Sequence, residues 1–243
     1  VDMGFLQFLE AVPEQGVVRF QLVLADGTKV FLNSGSEMRY PERFGKARRE
    51  VFLKGEAWFE VAKDSAREFW VHAGAMDVKV LGTSFNVKAY ERLETVATTL
   101  VEGSVEVACA GKSFQIVPGE QFVYDKNNRV MDVRMVDTES YVSWKDGYYK
   151  FRQTTLEEIM ETLSVWYGLN VFYVNESAKQ VEFTGKVKRY EDARMLLDKF
   201  EQTGDVVFDI KGNNVFITIK QKKPFAREWN SFLVKARGMV WQS

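Results

Sequence analysis

The spacing of apolar residues changes once along the chain, near Trp144. From Val17 to Val136, apolar and polar residues alternate in short runs that glycine-containing turns interrupt. From Leu156 to Tyr167, apolar residues instead recur three and four positions apart, which is the period of an α-helix. The pattern therefore predicts a region of strands followed by a region that also contains helices.

The first region predicts a β-sandwich, a jelly roll or a β-roll, because it consists of short alternating segments separated by turns. No repeat of fixed period is evident, so the sandwich is favoured over a regular solenoid. Lys54-Gly55 separates two such segments, Arg49–Leu53 and Glu56–Val61, and this spacing predicts a hairpin. The apolar cluster Met3–Ala11 fits either a helical turn or a docking arm.

The second region predicts two helices, each between strands. Thr155 and Glu158 have the spacing of a capping box, and Gly168 stands where a C-terminal cap belongs. A second helix is predicted over Tyr190–Gln202. The predicted strands are Leu169–Val174, Val181–Val187, Val206–Ile210 and Val215–Ile219.

The two helices repeat the same apolar positions. Ile159, Met160 and Leu163 correspond to Leu196, Leu197 and Phe200, which predicts a small βαβ repeat. A unit of about 75 residues is near the lower size limit for independent stability, so we expect support from the strand region.

These patterns divide the chain into four parts and predict a mainly β fold with a smaller α+β part. The parts are an N-terminal arm over 1–16, a β-sandwich or jelly-roll-like domain over 17–143, a βαβ-repeat domain over 144–220 and a C-terminal tail over 221–243. Trp144 and Gly147 lie at the change of period. We expect them to form the joint between the domains, with Trp144 buried there.

The composition excludes several classes of partner. The chain has 243 residues, and 33 Lys and Arg against 34 Asp and Glu give a net charge of −1, so no global field would attract nucleic acid or an anionic membrane. No apolar run is long enough to cross a bilayer, and the start of the chain lacks the pattern of a signal peptide. We therefore expect no nucleic-acid partner.

Candidate catalytic chemistry is sparse. With one cysteine, Cys109, and one histidine, His72, the chain has no internal disulfide, and a zinc site is not expected. No serine lies in a Gly-x-Ser-x-Gly elbow, and no phosphate-binding loop occurs. We therefore expect no catalytic residues, no metal ion and no cofactor.

One enzymatic alternative rests on paired carboxylates. Glu56 with Glu60, or Glu157 with Glu158, could supply the acid and base of glycoside cleavage, and aromatic residues could bind a sugar. However, the helix dipole favours acidic residues in a first turn whether or not they are catalytic. Most of the aromatic residues follow the apolar pattern, which favours a place in the core. A glycan-binding or glycan-cleaving β-sandwich stays the alternative function.

Six stretches, in order along the chain, resemble the FecR family of membrane-anchored anti-sigma regulators. They are Leu24–Ser36 with Tyr40-Pro41, Leu53–Ala62, Val80–Val87, Leu100–Val105, Pro118–Gln121 and Trp144–Gly147. The resemblance spans Val17 to Lys220. Its second part is similar to the short N-terminal signalling domain of secretins and TonB-dependent transducers.

The resemblance implies a regulatory function without enzyme activity. In such systems an outer-membrane TonB-dependent transducer presents its signalling domain in the periplasm, the regulator receives it, and a cytoplasmic segment controls an extracytoplasmic-function sigma factor. This chain resembles the receiving part, which the family tethers to the inner membrane. It shows neither the membrane span nor the cytoplasmic helices, so contact with the sigma factor is not expected from these residues.

A small sheet offers a physical means of receiving a partner, because its edge strands carry backbone donors and acceptors that another strand can pair. The edge is expected on Val181–Val187 or on Val215–Ile219. Lys186, Lys188 and Tyr190 are the candidate partner-binding residues.

Overall fold

The computed structural model describes residues 6–11, 20–189 and 192–220. Thirteen of the described strands precede Trp144 and form what we call the β region. They are β1 (Leu6–Ala11), β2 (Phe20–Val23), β3 (Lys29–Leu32), β4 (Ser36–Pro41), β5 (Arg48–Glu60), β6 (Glu68–Ala73), β7 (Met76–Val80), β8 (Ser84–Ala89), β9 (Thr95–Glu102), β10 (Val105–Cys109), β11 (Lys112–Ile116), β12 (Glu120–Asp125) and β13 (Val130–Met135).

The strands of the β region form two sheets that share β5. Sheet A has the order β11-β10-β7-β6-β5-β4-β1, and sheet B has the order β2-β3-β5-β8-β9-β12-β13. Neighbouring strands are antiparallel except β5 and β6. The N-terminal half of β5 pairs in sheet A, and its half from Gly55 onwards pairs in sheet B. A single strand therefore joins the two sheets.

The hairpin predicted at Lys54-Gly55 is wrong, because β5 runs without interruption through both residues. Gly55 has a φ of +99°, and a Cβ at this position would lie 2.4 Å from Ser36 Oγ. Only glycine combines this backbone angle with so close an approach. The residue bends β5 from one sheet into the other, and alternating segments flank a bend of this kind just as they flank a turn.

The helical turn considered for Met3–Ala11 is also wrong for the described residues, since Leu6–Ala11 is a strand that pairs with β4 at the edge of sheet A. The main core lies between the sheets. Phe59 of sheet B stacks on Phe85 with 5.2 Å between ring centroids and contacts Phe69 of sheet A at 6.1 Å. All three rings are fully buried, so they hold the sheets face to face.

A second group of elements, which we call the C-terminal region, follows β13. It contains α1 (Glu139–Val142), β14 (Tyr148–Thr155), α2 (Leu156–Tyr167), β15 (Asn170–Tyr173), β16 (Glu182–Lys188), α3 (Ala193–Thr203), β17 (Val206–Lys211) and β18 (Asn214–Ile219). Trp144 lies in a 3-10 turn, Ser143–Asp146, between α1 and β14. The residues ahead of Trp144 are therefore not strands alone.

The predicted caps of α2 are confirmed. Thr155 Oγ1 accepts a hydrogen bond from the backbone N–H of Glu158 at 3.3 Å, and Gly168 ends the helix in the left-handed conformation with a φ of +64°. The second helix begins later than predicted, because Asp192 caps it by accepting from the N–H of Arg194. The local sequence signals therefore located both helices correctly, but they set the start of the second helix too early.

The strands of the C-terminal region lie in two small sheets. β14 pairs with β16, whereas β18 lies between β15 and β17. The strands on either side of each helix therefore belong to different sheets, which the βαβ pattern did not predict. The corresponding residues of the two helices are buried in one core: Ile159, Met160, Leu163, Leu196, Leu197 and Phe200.

The second core is completed by the β region. Trp58, Tyr90 and Leu93 of the β region belong to the same apolar cluster as the helices. This contact provides the support that the small size of the C-terminal region made necessary. The predicted fold class, mainly β with a smaller α+β part, is confirmed.

Replacement of Gly55 tests the bend in β5. We expect Gly55→Ala to lower the free energy of unfolding by at least about 2 kcal/mol, because the new methyl group combines an unfavourable φ with a clash against Ser36. Urea denaturation measures the loss. Gly27→Ala is the matched control: Gly27 has a φ of +86° but no atom within 4 Å of the added Cβ, so it should cost about 1 kcal/mol. Equal losses in the two variants would contradict the close-approach argument.

Candidate functional site

β16 presents a free edge among the described residues, because it pairs with β14 on one side only. Lys186 and Lys188 on this strand are exposed, and Lys186 Nζ lies 4.1 Å from the ring centroid of Tyr148. Tyr190 lies outside the described residues. The other candidate edge, Val215–Ile219, is wrong, because β18 is the central strand of its sheet.

The end of β16 next to Arg189 carries two exposed lysines, Lys186 and Lys188, on the solvent face of the β14–β16 sheet. Lys150 lies opposite Lys186, and its ammonium is held by Asp137 and Glu139. Within the described part of the chain, Lys186 and Lys188 form no ion pair. Positive charge beside a free backbone edge suits a partner strand that carries acidic side chains.

Trp144 lies where the C-terminal region meets the β region. Its side chain is 4% exposed, and the indole N–H donates to Asn86 Oδ1 of β8 at 3.1 Å. Gly147 ends the 3-10 turn with a φ of +83°, and its carbonyl accepts from the backbone N–H of Arg189 at 3.1 Å. Trp144 therefore bonds across this boundary, whereas the contact of Gly147 lies within the C-terminal region.

Each oxygen of the buried Glu56 carboxylate accepts a hydrogen bond from an amide. Its Oε2 accepts from the Asn33 amide at 2.6 Å, and its Oε1 accepts from the Asn86 amide at 2.9 Å. Both amides are fixed in orientation, since Asn33 Oδ1 accepts from the N–H of Ser34 and Asn86 Oδ1 accepts from Trp144. Each amide can therefore only donate to Glu56.

Arg189 connects the same place to the β3–β4 turn. Its side chain is 5% exposed, and Nη2 donates to Ser34 Oγ at 2.7 Å. The guanidinium also lies 4.8 Å from the ring centroid of Trp166 and 5.9 Å from that of Trp144. The hydroxyl of Tyr90 donates to the Ser34 carbonyl at 2.8 Å. A cation is thus held between two aromatic rings and a hydroxyl.

We call this set the junction cluster. It comprises Asn33, Ser34, Glu56, Asn86, Tyr90, Trp144 and Arg189. Burial raises the pKa of the Glu56 carboxyl, and the charge of Lys88 and the two amide donors oppose that shift. Burial and the Glu56 charge raise the pKa of Tyr90. The cluster offers hydrogen bonds and charge balance, and these hold the two regions in one arrangement.

A cleft of about 210 Å³ opens beside the junction cluster, between sheet B and α2. Its walls include Lys88 on β8 and Glu161 on α2, and burial raises the pKa of Glu161. No group of three or more His, Cys, Asp or Glu residues is placed to hold a metal ion in the part of the chain that the structure describes. Among the same residues, no helix combines the length and apolarity needed to span a bilayer.

The junction cluster gathers residues from separate stretches of the family resemblance. Asn33 and Ser34 belong to Leu24–Ser36, Glu56 to Leu53–Ala62, Asn86 to Val80–Val87 and Trp144 to the last stretch. Sequence reasoning singled out Trp144 but missed Asn33, Asn86 and Arg189. It named Glu56 only as a possible member of an acid–base pair. One sequence signal was present: Trp58 is a tryptophan on the otherwise polar face of the strand that carries Glu56, which indicates that this face is covered.

A row of aromatic residues crosses the outer face of sheet A. His72 stacks on Phe52 with centroids 4.8 Å apart and on Trp70 at 6.2 Å, and Lys79 Nζ lies 5.6 Å from the centroid of Trp70. His72 Nδ1 is 2.7 Å from Asp77 Oδ1. This row is the exposed aromatic surface that the glycan-binding alternative would use.

Removal of the Trp144 side chain tests the joint. We expect Trp144→Ala to lower the free energy of unfolding by about 3 kcal/mol or more, the usual cost of truncating a buried aromatic residue. Trp70→Ala, on the outer face of sheet A, should cost clearly less. Chemical denaturation followed by circular dichroism compares the two, and equal losses would count against a structural role of Trp144 at the joint.

The bonding of Glu56 predicts that its amide analogue does not fit. In the variant Glu56→Gln, the new side-chain N–H₂ group would face an amide that can only donate, so we expect a loss of about 1–3 kcal/mol of stability at pH 7. Glu60→Gln is the control, because Glu60 accepts from the Trp58 indole at 3.3 Å and a glutamine oxygen can do the same. A Glu56→Gln variant as stable as the wild type would contradict the assigned donor directions.

Comparison with known proteins bears on the identity of the chain. A family model described as "FecR protein" matches residues 16–106, and one described as "FecR, C-terminal" matches residues 148–217. No curated protein matches the chain.

Two crystal structures are similar to this chain over most of its length. Both are of a candidate anti-sigma factor from Parabacteroides distasonis ATCC 8503, at 1.65 and 2.50 Å resolution, with TM-scores of 0.79 and 0.78 and 26% sequence identity. They cover 88% and 89% of this chain and 100% of their own chains. The two family matches together cover more than half of the sequence, and the chain therefore belongs to the FecR family of anti-sigma regulators.

Proposed function

We propose that this chain is the periplasmic receiving part of a membrane-tethered regulator, and that it binds the signalling domain of a TonB-dependent outer-membrane transducer. The regulator would in turn control an extracytoplasmic-function sigma factor through a cytoplasmic segment. Membership of the FecR family supports the anti-sigma role. The observation that carries the choice of this receiving surface is the edge of β16, which is unpaired among the described strands and carries the exposed Lys186 and Lys188.

The edge of β16 fits this role in both backbone and side chains. A partner strand that pairs with β16 would extend the two-stranded sheet to three, and its backbone would bond to donors and acceptors of β16 that pair with no other described strand. Lys186 and Lys188 would lie beside that strand and attract acidic side chains on it. The backbone provides affinity, and the two lysines select the partner.

The proposed function is binding without catalysis. The two charged residues of the junction cluster, Glu56 and Arg189, are buried and bond to neighbouring protein groups, which suits a structural role. Cys109, the one thiol, is buried in the core of the β region, where burial raises its pKa and disfavours the reactive thiolate.

Charge reversal on β16 tests the surface. We expect the double variant Lys186→Glu, Lys188→Glu to bind a transducer signalling domain at least about tenfold more weakly than the wild type, because like charges would then face each other. Titration calorimetry measures the affinity. The signalling domain to use is that of a TonB-dependent transducer encoded beside this protein.

The control for this experiment is Lys112→Glu, which reverses an exposed charge on β11 of sheet A, far along the chain from β16. Its affinity should equal that of the wild type. An unchanged affinity of the β16 variant would exclude this edge as the receiving surface, and a glycan array or hydrolase screen with specific micromolar binding would favour the alternative function.

A further inference from the structure

We propose that Arg189 couples the receiving edge of β16 to the β region, so that pairing of a partner strand along β16 draws the arginine out of the junction cluster. The identity of the partner rests on the proposed function. The coupling itself rests on contacts of Arg189, which directly follows the last residue of β16. It would convert an event at the sheet edge into a change at the boundary between the two regions.

Hydrogen bonds to Gly147, Tyr167 and Ser34 hold Arg189 to three separate parts of the described chain. Its backbone N–H donates to the Gly147 carbonyl at 3.1 Å, and its own carbonyl accepts from the Tyr167 hydroxyl of α2 at 2.6 Å. Its guanidinium donates to Ser34 Oγ at 2.7 Å. The first two bonds lie within the C-terminal region, and the third crosses to the β region. The hydrogen bond to Ser34 therefore links the end of β16 to the β region.

The twist of the β14–β16 ribbon provides the movement. Two-stranded ribbons are more strongly twisted than larger sheets, so a third strand on β16 would flatten the ribbon. Register irregularity between Phe151 and Thr154 separates the segment of β16 next to Arg189, Gly185–Lys188, from the rest of the strand. This segment can therefore change its twist alone. Because Arg189 continues the same backbone, such a change rotates its side chain away from Trp144 and Trp166.

Thermodynamic linkage gives the direction of the effect. If partner binding breaks the contact between Arg189 and Ser34, the same contact opposes partner binding by an equal free energy. A variant without the contact should therefore bind the partner more tightly. A charge-assisted hydrogen bond of this kind corresponds to about tenfold in affinity or more.

Hydrogen exchange tests the coupling without any partner. Ser34→Ala removes one hydroxyl of the β region and leaves the backbone bonds of Ser34 in place, whereas Arg189→Ala removes the guanidinium. In both variants we expect amides of β14 and β16 to exchange about tenfold faster, while core amides of sheet A, such as Val71 and Val78, keep wild-type rates. Lys188→Ala, at the neighbouring position, is the control. Unchanged exchange on β16 in both variants would overturn the proposal, and so would an equal increase over the whole chain.

Binding of a transducer signalling domain forms the second arm. We expect Ser34→Ala and Arg189→Ala to raise its affinity about tenfold, and an unchanged or lower affinity would overturn the coupling. If the wild-type chain does not bind the signalling domain, the proposed function fails, and the exchange experiment alone decides the coupling.

Discussion

The arrangement of the two regions depends on the hydrogen bonds of one buried carboxylate. Glu56 is 6% exposed, and an ionised carboxylate in such a place is tolerated only when its oxygens are bonded. The donors come from the turn after β3 and from β8, and the indole of Trp144 fixes one of them. Satisfying Glu56 therefore requires that three separate segments are in place at once. This requirement selects one way of docking the C-terminal region on sheet B.

The elements of the fold were predictable where the signals are local. Thr155 and Gly168 act on the helix that they cap, so their spacing identified α2 without knowledge of any other part of the chain. Gly55 shows the limit of local reasoning. A glycine between two alternating segments serves equally at a hairpin turn and at a bend, and only the strands that pair on either side decide between them.

The junction cluster was less predictable, because its residues follow the polar positions of their strands. Glu56 and Asn86 lie on the outer face of sheet B, and alternation assigns that face to solvent. The C-terminal region covers this face, which makes the assignment wrong. No sequence pattern identifies Arg189 as buried, because its burial depends on the rings and the hydroxyl that surround it in the folded protein. Strand order is likewise non-local, so the sequence could not show that β16 is an edge and β18 is not.

The passage of β5 through both sheets also bears on how the β region comes apart. Because the backbone of one strand is hydrogen-bonded in sheet A on one side of Gly55 and in sheet B on the other, neither sheet can separate from the rest without disturbing a strand of its neighbour. Partial unfolding that exposes only one sheet is therefore disfavoured. The β region should unfold as a single cooperative unit. The C-terminal region therefore packs on a support that does not unfold in parts.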